Sequence, residues 1–483
     1  MPIIQQWELR AEFARRLSDL YGHEVPAYAS MLEVANAVNK KVLTNQGVVG
    51  ERLGSAARVT AERHGAIRVG TPDELAQVAR IFGGMGMHPV GFYDLREASS
   101  SSVPVVSTAF RPIEAEELAR NPFRVFTSML VPSDRRFFSA DLQQRLDNFL
   151  GRRRLFEPEL LVLADRAETY GGLDEKDSET FLRLATSAFE LSPAAVDRAW
   201  YRELEQVSSV AADIGGVTST HINHLTPRVL DIDSLYEQMQ RRGIEMIETI
   251  QGPPRWNGPD LLLRQTSFRA LAEPRVFRES DGTVVKGSLR VRFGEVEARG
   301  IAATPRGRGV YDRLTGDIEQ AVREAAVHGP VTASDRTTIA AALWNKNVPA
   351  TEYVLALDDL AYFTFTPTDR RADGSVPSAS LSGMIAQGWL RPDPIVYEDF
   401  LPKSAAGIFQ SNLTSEGRRD LTQTSTDQIN ADWMAGVLGR TVHDPYELYS
   451  EIRRASLTAA AEHLGLAWPI EPTPSTTPQE SNR

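Results

Sequence analysis

One pattern occurs twice in this chain, and it constrains the fold more than any other feature. When His64 is laid over His224, Arg68 falls on Arg228, Val69 on Val229, Asp73 on Asp233, Leu75 on Leu235 and Gly83 on Gly243. The segments "HGAIRVGTPDELAQVARIFGG" and "HLTPRVLDIDSLYEQMQRRGI" both read as a strand, a turn with Asp as N-cap, an amphipathic helix and a Gly past the helix end. Each continues into strand-like stretches, "MHPVGFYDL" and "FRVFTSMLV" in the first copy, "LLLRQTSF" and "SLRVRFGEVEARG" in the second. The expectation is a duplicated unit of strand, helix and further strands, with helical sequence between the copies. The chain then divides into a helical N-terminal segment (1–60), a first module (61–135), a helical insertion (136–212) and a second module (213–302). A C-terminal α/β segment (303–468) closes the site. A Pro/Ser/Thr-rich tail (469–483) has too little apolar content to fold.

The first strand of the repeat carries unusual cargo. Alternation puts His64, Ala66 and Arg68 on one face and Gly65, Ile67 and Val69 on the other. Of eight histidines, the repeat places two, His64 and His224, at the same structural position, where symmetric packing would bring them together. A third donor is suggested by "RVRFGEVEARG", in which Glu295 and Glu297 share a strand face; one carboxylate is then a ligand and the other supports it or faces solvent. Two imidazoles and one carboxylate with open positions opposite suit Fe(II) and oxygen chemistry better than a closed structural site. His221, three residues before His224 and on the opposite face, competes for the ligand role, and the repeat favours His224.

Composition narrows the alternatives. A net charge of −11 argues against nucleic acid as a partner. The absence of cysteine excludes disulfides, thiolate metal sites and thiol nucleophiles, and fits a reducing cytoplasm. The start "MPIIQQWELRAEFARRL" is charged where a signal peptide needs its apolar run. No stretch approaches the ~20 apolar residues of a membrane span, so no membrane partner and a cytoplasmic location are expected. P-loop, G-x-S-x-G and H-E-x-x-H motifs are absent, and the glycines of "FGGMGMHPVG" follow a helix, the wrong context for dinucleotide binding. "EDFLPKSAAGIFQSNL" (Glu398 to Leu413) is suited either to a loop closing over a polar ligand or to a tight packed turn.

The motifs "RHGAIRVGT", "STAFRP", "NPFRVFTSML", "HINHLTPRVLDID", "LLLRQTSF", "RFGEVEARGIAATPRGRGVYD" and "YEDFLPKSAAGIFQSNL" run in order along most of the chain. Together they closely resemble the 2-oxoadipate dioxygenase/decarboxylase family of bacterial enzymes, which looks like a divergent member of the vicinal oxygen chelate superfamily. The resemblance implies an α+β fold of paired βαβββ modules forming a central β-barrel-like sheet, with large helical N-terminal, inserted and C-terminal segments. It also implies a non-haem Fe(II) enzyme of lysine breakdown that converts 2-oxoadipate and O2 into (R)-2-hydroxyglutarate and CO2. Carried over residue by residue, the metal ligands are His64, His224 and Glu295. The arginine that grips substrate is Arg68, and the substrate-contacting serine is Ser404. Lys403 departs from the apolar residue usual before that serine, which puts pocket length and substrate preference in question.

On this reading the first strand is a ruler for a dicarboxylate. A 2-oxo acid can chelate iron through its C1 carboxylate and keto oxygen, and its far carboxylate then needs a cation at a fixed distance. Arg68 lies four residues from His64, about 13 Å along an extended strand, and its side chain can bend back to offer a bidentate fork. The alternative is a metal-dependent isomerase or hydrolase of the same fold acting on another 2-oxo acid; it would not consume O2.

Overall fold

The computed structural model describes residues 3–46, 54–97, 102–270, 272–290, 292–368, 377–378, 380–401, 428–466 and 470. The chain opens with a short strand, β1 (Ile3–Gln5), and the helices Gln6–Glu24 and Pro26–Gln46. The first repeat unit follows as β2 (Arg63–Val69), the helix Pro72–Gly83, β3 (His88–Asp94), β4 (Val105–Arg111) and β5 (Arg124–Leu130). Between the repeat units lie β6 (Gly172–Asp174), β7 (Val196–Asp197) and five helices from Ala140 to Gly215. The second unit holds β8 (His224–Pro227), the helix Ile232–Arg241, β9 (Leu263–Ser267), the hairpin β10 (Glu273–Arg278) and β11 (Val284–Leu289), and β12 (Glu295–Arg299). The C-terminal part contributes β13 (Phe363–Pro367), β14 (Leu390–Pro394) and helices that include Pro305–Ala326 and Pro445–Leu464.

A five-stranded sheet of order β3-β4-β5-β2-β8 anchors the molecule, with β2 parallel to β5 and antiparallel to β8. The alternation expected along β2 is obeyed. Ile67 and Val69 enter a core shared with the N-terminal helices and the helix Pro72–Gly83. Ala66 enters a second core with Ala109, Phe126, Leu146, Leu204 and Ala211. The inserted helices therefore cover the sheet face that also carries His64 and Arg68.

Among the described residues the expected barrel-like closure is not found: their strands fall into five separate sheets, and β12 pairs in regular register with β9 alone. β8 is four residues long and ends at Pro227, which has no N–H to extend a ladder. Its contact with β12 narrows to one parallel bridge, Arg228 to Glu297, with Val229 N donating to Glu297 O at 2.8 Å. At the far edge, β3 is covered by the C-terminal segment instead of the second unit: Gly91 N donates to His443 O at 2.8 Å and His443 N to Pro89 O at 2.9 Å.

Two local expectations are also corrected. The first repeated helix is capped by Thr71, which accepts from Glu74 N, and not by an Asp, whereas the second has the expected Asp cap, Asp231 accepting from Ser234 N. Within the inserted segment Asp197 caps the helix Arg198–Glu205, accepting from Trp200 N. The strand expected from Ser288 through Arg299 is broken, β11 ending at Leu289 and β12 beginning at Glu295. Of the tail, only Ile470 is described, and it is buried beside Trp344 and Leu464 in the C-terminal core. Among the described residues no helix is long and apolar enough to cross a membrane.

Candidate metal centre

Strand register brings two imidazoles to one place. His224 lies across from Ala66, and Thr226 across from His64, so His64, Ala66, Arg68, His224 and Thr226 project from the same face. Gly65 permits this closeness: a Cβ there would come within 2.7 Å of Ile222 Cδ1 and 3.3 Å of His224 O. The two rings meet edge to face, centroids 5.7 Å apart. Glu295, at the start of β12, completes the group, its Oε2 lying 3.6 Å from His64 Nε2 and 3.4 Å from His224 Nε2. One ligand atom from each residue falls within 4.8 Å of the other two. Tyr21 ties the two approaching segments together, its hydroxyl lying 3.1 Å from Asn223 O and 2.8 Å from Phe293 O, just ahead of His224 and Glu295.

These residues fit a divalent cation. All three are buried, and among the described residues His224 Nε2 and Glu295 Oε1 have no hydrogen-bond partner. Burial pushes both imidazoles well below their ordinary pKa, helped by Arg124 at His64 and by His64 at His224, so both offer neutral lone pairs. Burial, then the charge of Glu297, pushes the Glu295 carboxyl well above its usual range. Without a cation the cluster leaves desolvated acceptors unpaired, at a cost of about 1–3 kcal/mol each. The donor set is two nitrogens and one carboxylate, the composition associated with open Fe(II) sites.

The shared face of β12 resolves the two glutamates into different jobs. Glu297 Oε1 lies 3.2 Å from His64 Nδ1, on the ring edge away from Glu295. The two atoms are close neighbours without hydrogen-bond geometry; a carboxylate that closed on that nitrogen would orient the imidazole and raise its basicity. Glu297 pairs in turn with Arg124 and accepts from Arg299 Nε at 2.6 Å. Behind it, Glu62 binds Arg228 at 2.8 Å, Arg299 at 3.0 Å and Arg124 at 3.2 Å, while Glu398 pairs with Arg58. Burial acts to raise the Glu62 pKa, but Arg228, Arg124 and Arg58 together outweigh it and hold that carboxyl below the usual range. At Glu297 burial prevails over Arg124, and the carboxyl is pushed up to about 7. Phe400 stacks edge-on to His64 at 5.0 Å and Phe293 lies 5.2 Å from His224, forming apolar walls.

Arg68 is on the site face, and its Nη1 donates to Asp213 Oδ2 at 2.5 Å. Its charge is among the causes that lower the His224 pKa. His221 stays outside the triad. Its Nε2 sits 3.4 Å from Asp213 Oδ1 and 3.2 Å from Asn223 Nδ2, and burial, opposed by Asp213, pushes its pKa down to about 4. Ser404 and Lys403 lie outside the described residues. Sequence reasoning missed Ser267 and Gln265 on β9, which register across from Glu295 and Glu297 and are buried, with Ser267 Oγ and Gln265 Nε2 unpartnered among the described residues. It also missed the arginine network; the matched Arg68 and Arg228 of the repeat do different work, one beside Asp213 and the other beside Glu62.

A sequence model of the 2-oxoadipate dioxygenase/decarboxylase family matches residues 13–412. A Mycobacterium tuberculosis protein named 2-oxoadipate dioxygenase/decarboxylase is 54% identical over 451 residues, covering 93% of this chain and 97% of its own. The chain belongs to this family. A 2-oxoadipate dioxygenase/decarboxylase of Pseudomonas putida is 40% identical over 466 residues, 95% of this chain and 97% of that one. The crystal structure of the Pseudomonas putida hydroxyglutarate synthase in complex with 2-oxoadipate superposes with a TM-score of 0.80 at 37% identity, covering 96% of this chain and 100% of that one.

Proposed function

We propose that this chain is an Fe(II)-dependent dioxygenase/decarboxylase that converts 2-oxoadipate and O2 into (R)-2-hydroxyglutarate and CO2, as a step of lysine breakdown in the cytoplasm. The observation that carries the proposal is the buried group of His64, His224 and Glu295, whose donor atoms converge, with His224 Nε2 and Glu295 Oε1 without a hydrogen-bond partner among the described residues. Family membership and the 2-oxoadipate in the Pseudomonas putida structure support the choice of substrate. We read the two repeat units as related βαβββ modules, a reading supported by their common start of strand, helix and histidine.

His64, His224 and Glu295 would hold the iron. Bound there, Fe(II) supplies activation of O2 toward a chelated 2-oxo acid. Glu297, 3.2 Å from His64 Nδ1, would hold the ring once the two close to a hydrogen bond. Arg68 binds the far carboxylate and sets how the dicarboxylate lies, and Ser404 contacts substrate. Phe400, Phe293 and the inserted helices exclude water from the reacting end. Orientation and dryness are the protein's contribution to a reaction whose redox chemistry belongs to the metal. The atoms balance: C1 leaves as CO2, one oxygen atom enters the new carboxylate at C2, and the other becomes the hydroxyl at C3.

Oxygen uptake by the Fe(II)-loaded enzyme, measured across 2-oxo dicarboxylates with chiral analysis of the product, tests the proposal. It expects stoichiometric O2 and CO2 with 2-oxoadipate and (R)-2-hydroxyglutarate as product. Turnover without O2 consumption would replace it with isomerase or hydrolase chemistry.

A further inference from the structure

Arg68 is a long, flexible cation, and a ruler needs a fixed end. Its guanidinium meets Asp213, which is itself immobilised. Asp213 lies in the helix Ser209–Gly215, whose Val210, Ala211, Ala212 and Ile214 are packed in the same core as Ala66. Asn223 Nδ2 donates to Asp213 Oδ2 at 2.8 Å, and His221 Nε2 lies 3.4 Å from Oδ1. The segment that bears Asn223 is stitched to β2: Thr220 Oγ1 donates to Arg68 O at 2.7 Å and Asn223 N to Ala66 O at 2.9 Å. The residue after Asn223 is His224. Asp213 thus joins the guanidinium, through Asn223, to the segment carrying one of the three metal-binding side chains.

We infer that Asp213 is a positioning residue that fixes the Arg68 guanidinium and so sets the length of 2-oxo dicarboxylate the site accepts. The inference rests on the reading of Arg68 as the group that binds the far carboxylate. An arginine side chain has much rotamer freedom to lose on binding, and a guanidinium already held by Asp213 meets a carboxylate at one distance instead of many. Asp213 also borders a cavity of about 210 Å³ with His221, Arg275 and Arg278, which leaves room for a longer side chain.

The test measures anaerobic binding by calorimetry, and kcat and KM in air, for the five-, six- and seven-carbon 2-oxo dicarboxylates and for 2-oxohexanoate, which lacks the far carboxylate. Asp213→Asn should raise KM for the six-carbon substrate at least tenfold and flatten the length preference, while 2-oxohexanoate changes less than twofold. Asp213→Glu restores the charge one methylene farther out, and should restore a sharp preference centred on a different length. Equal losses for all four compounds, or an unchanged length profile in both variants, would overturn the inference. Arg68→Ala separates the two ideas: if it leaves the dicarboxylate preference intact, the reading of Arg68 fails and the role of Asp213 falls with it.

Discussion

His64 and Glu297 face each other across 3.2 Å, from Nδ1 to Oε1, on the side of the imidazole ring remote from Glu295. One ring thus links the candidate metal position to a buried lattice of arginines and glutamates. Replacing Glu297 by Gln removes the carboxylate beside His64 Nδ1 and leaves Arg124 and Arg299 short of a partner. Breaking a buried pair in this way costs about 3–5 kcal/mol, and loss of the carboxylate behind a ligating histidine costs about 10–100-fold in metal affinity. Denaturant melts and metal titration of Glu297→Gln should show both effects. A variant that binds iron normally would remove Glu297 from the account.

Proton release on metal binding follows from the directions of the pKa shifts in the cluster. Both histidines are lowered by burial and so are already neutral at pH 7, whereas the carboxyls of Glu295 and Glu297 are raised. Protons released when a cation binds should then come from the carboxyls and not from the histidines. Calorimetry in two buffers of different ionisation enthalpy measures the number released. The lowered histidines contribute stability that is present above about pH 6.5, their unfolded value, and lost as pH falls toward their folded values. The raised carboxyls of Glu295 and Glu297 act in the opposite sense over the same range, so the metal-free protein should change less in stability between pH 7 and pH 5 than the histidines alone would make it.

Arg68→Ala should bind iron normally and lose substrate. A charge-assisted hydrogen bond contributes about 1.5–3 kcal/mol, a loss of roughly 10–150-fold in kcat/KM for 2-oxoadipate. Steady-state kinetics beside a metal assay checks both halves. Unchanged turnover would end the ruler.

Tyr21→Phe removes the hydroxyl that reaches Asn223 O and Phe293 O. Leaving buried carbonyls unsatisfied costs about 1–3 kcal/mol, and the segments leading to His224 and Glu295 lose their common anchor. Thermal melts should register the first effect, and a weaker metal isotherm the second.

Much of this was legible in the sequence because it depended on period and position. Alternation along 63–69 correctly put His64 and Arg68 on one face, and matching the repeat put His224 beside them. The pair Glu295 and Glu297 could be seen to share a face, but which was nearer the histidines depended on how β12 approaches β8, a tertiary fact carried by one bridge and by Tyr21. The arginine network was illegible because Arg58, Arg124, Arg228 and Arg299 are scattered along the chain and resemble surface charges until burial is known. The barrel was over-read: the family resemblance implied closure, whereas short β8 with its terminal Pro227 and the C-terminal cover over β3 keep the sheets apart among the described residues.

Anaerobic Fe(II) titration of the wild-type protein and of the His64→Ala, His224→Ala and Glu295→Ala variants tests the central claim most directly. The account predicts one site per chain in the wild type and at least a hundredfold weaker binding in every variant, with the fold intact by circular dichroism. Full-affinity iron binding by any one of the three variants would contradict it.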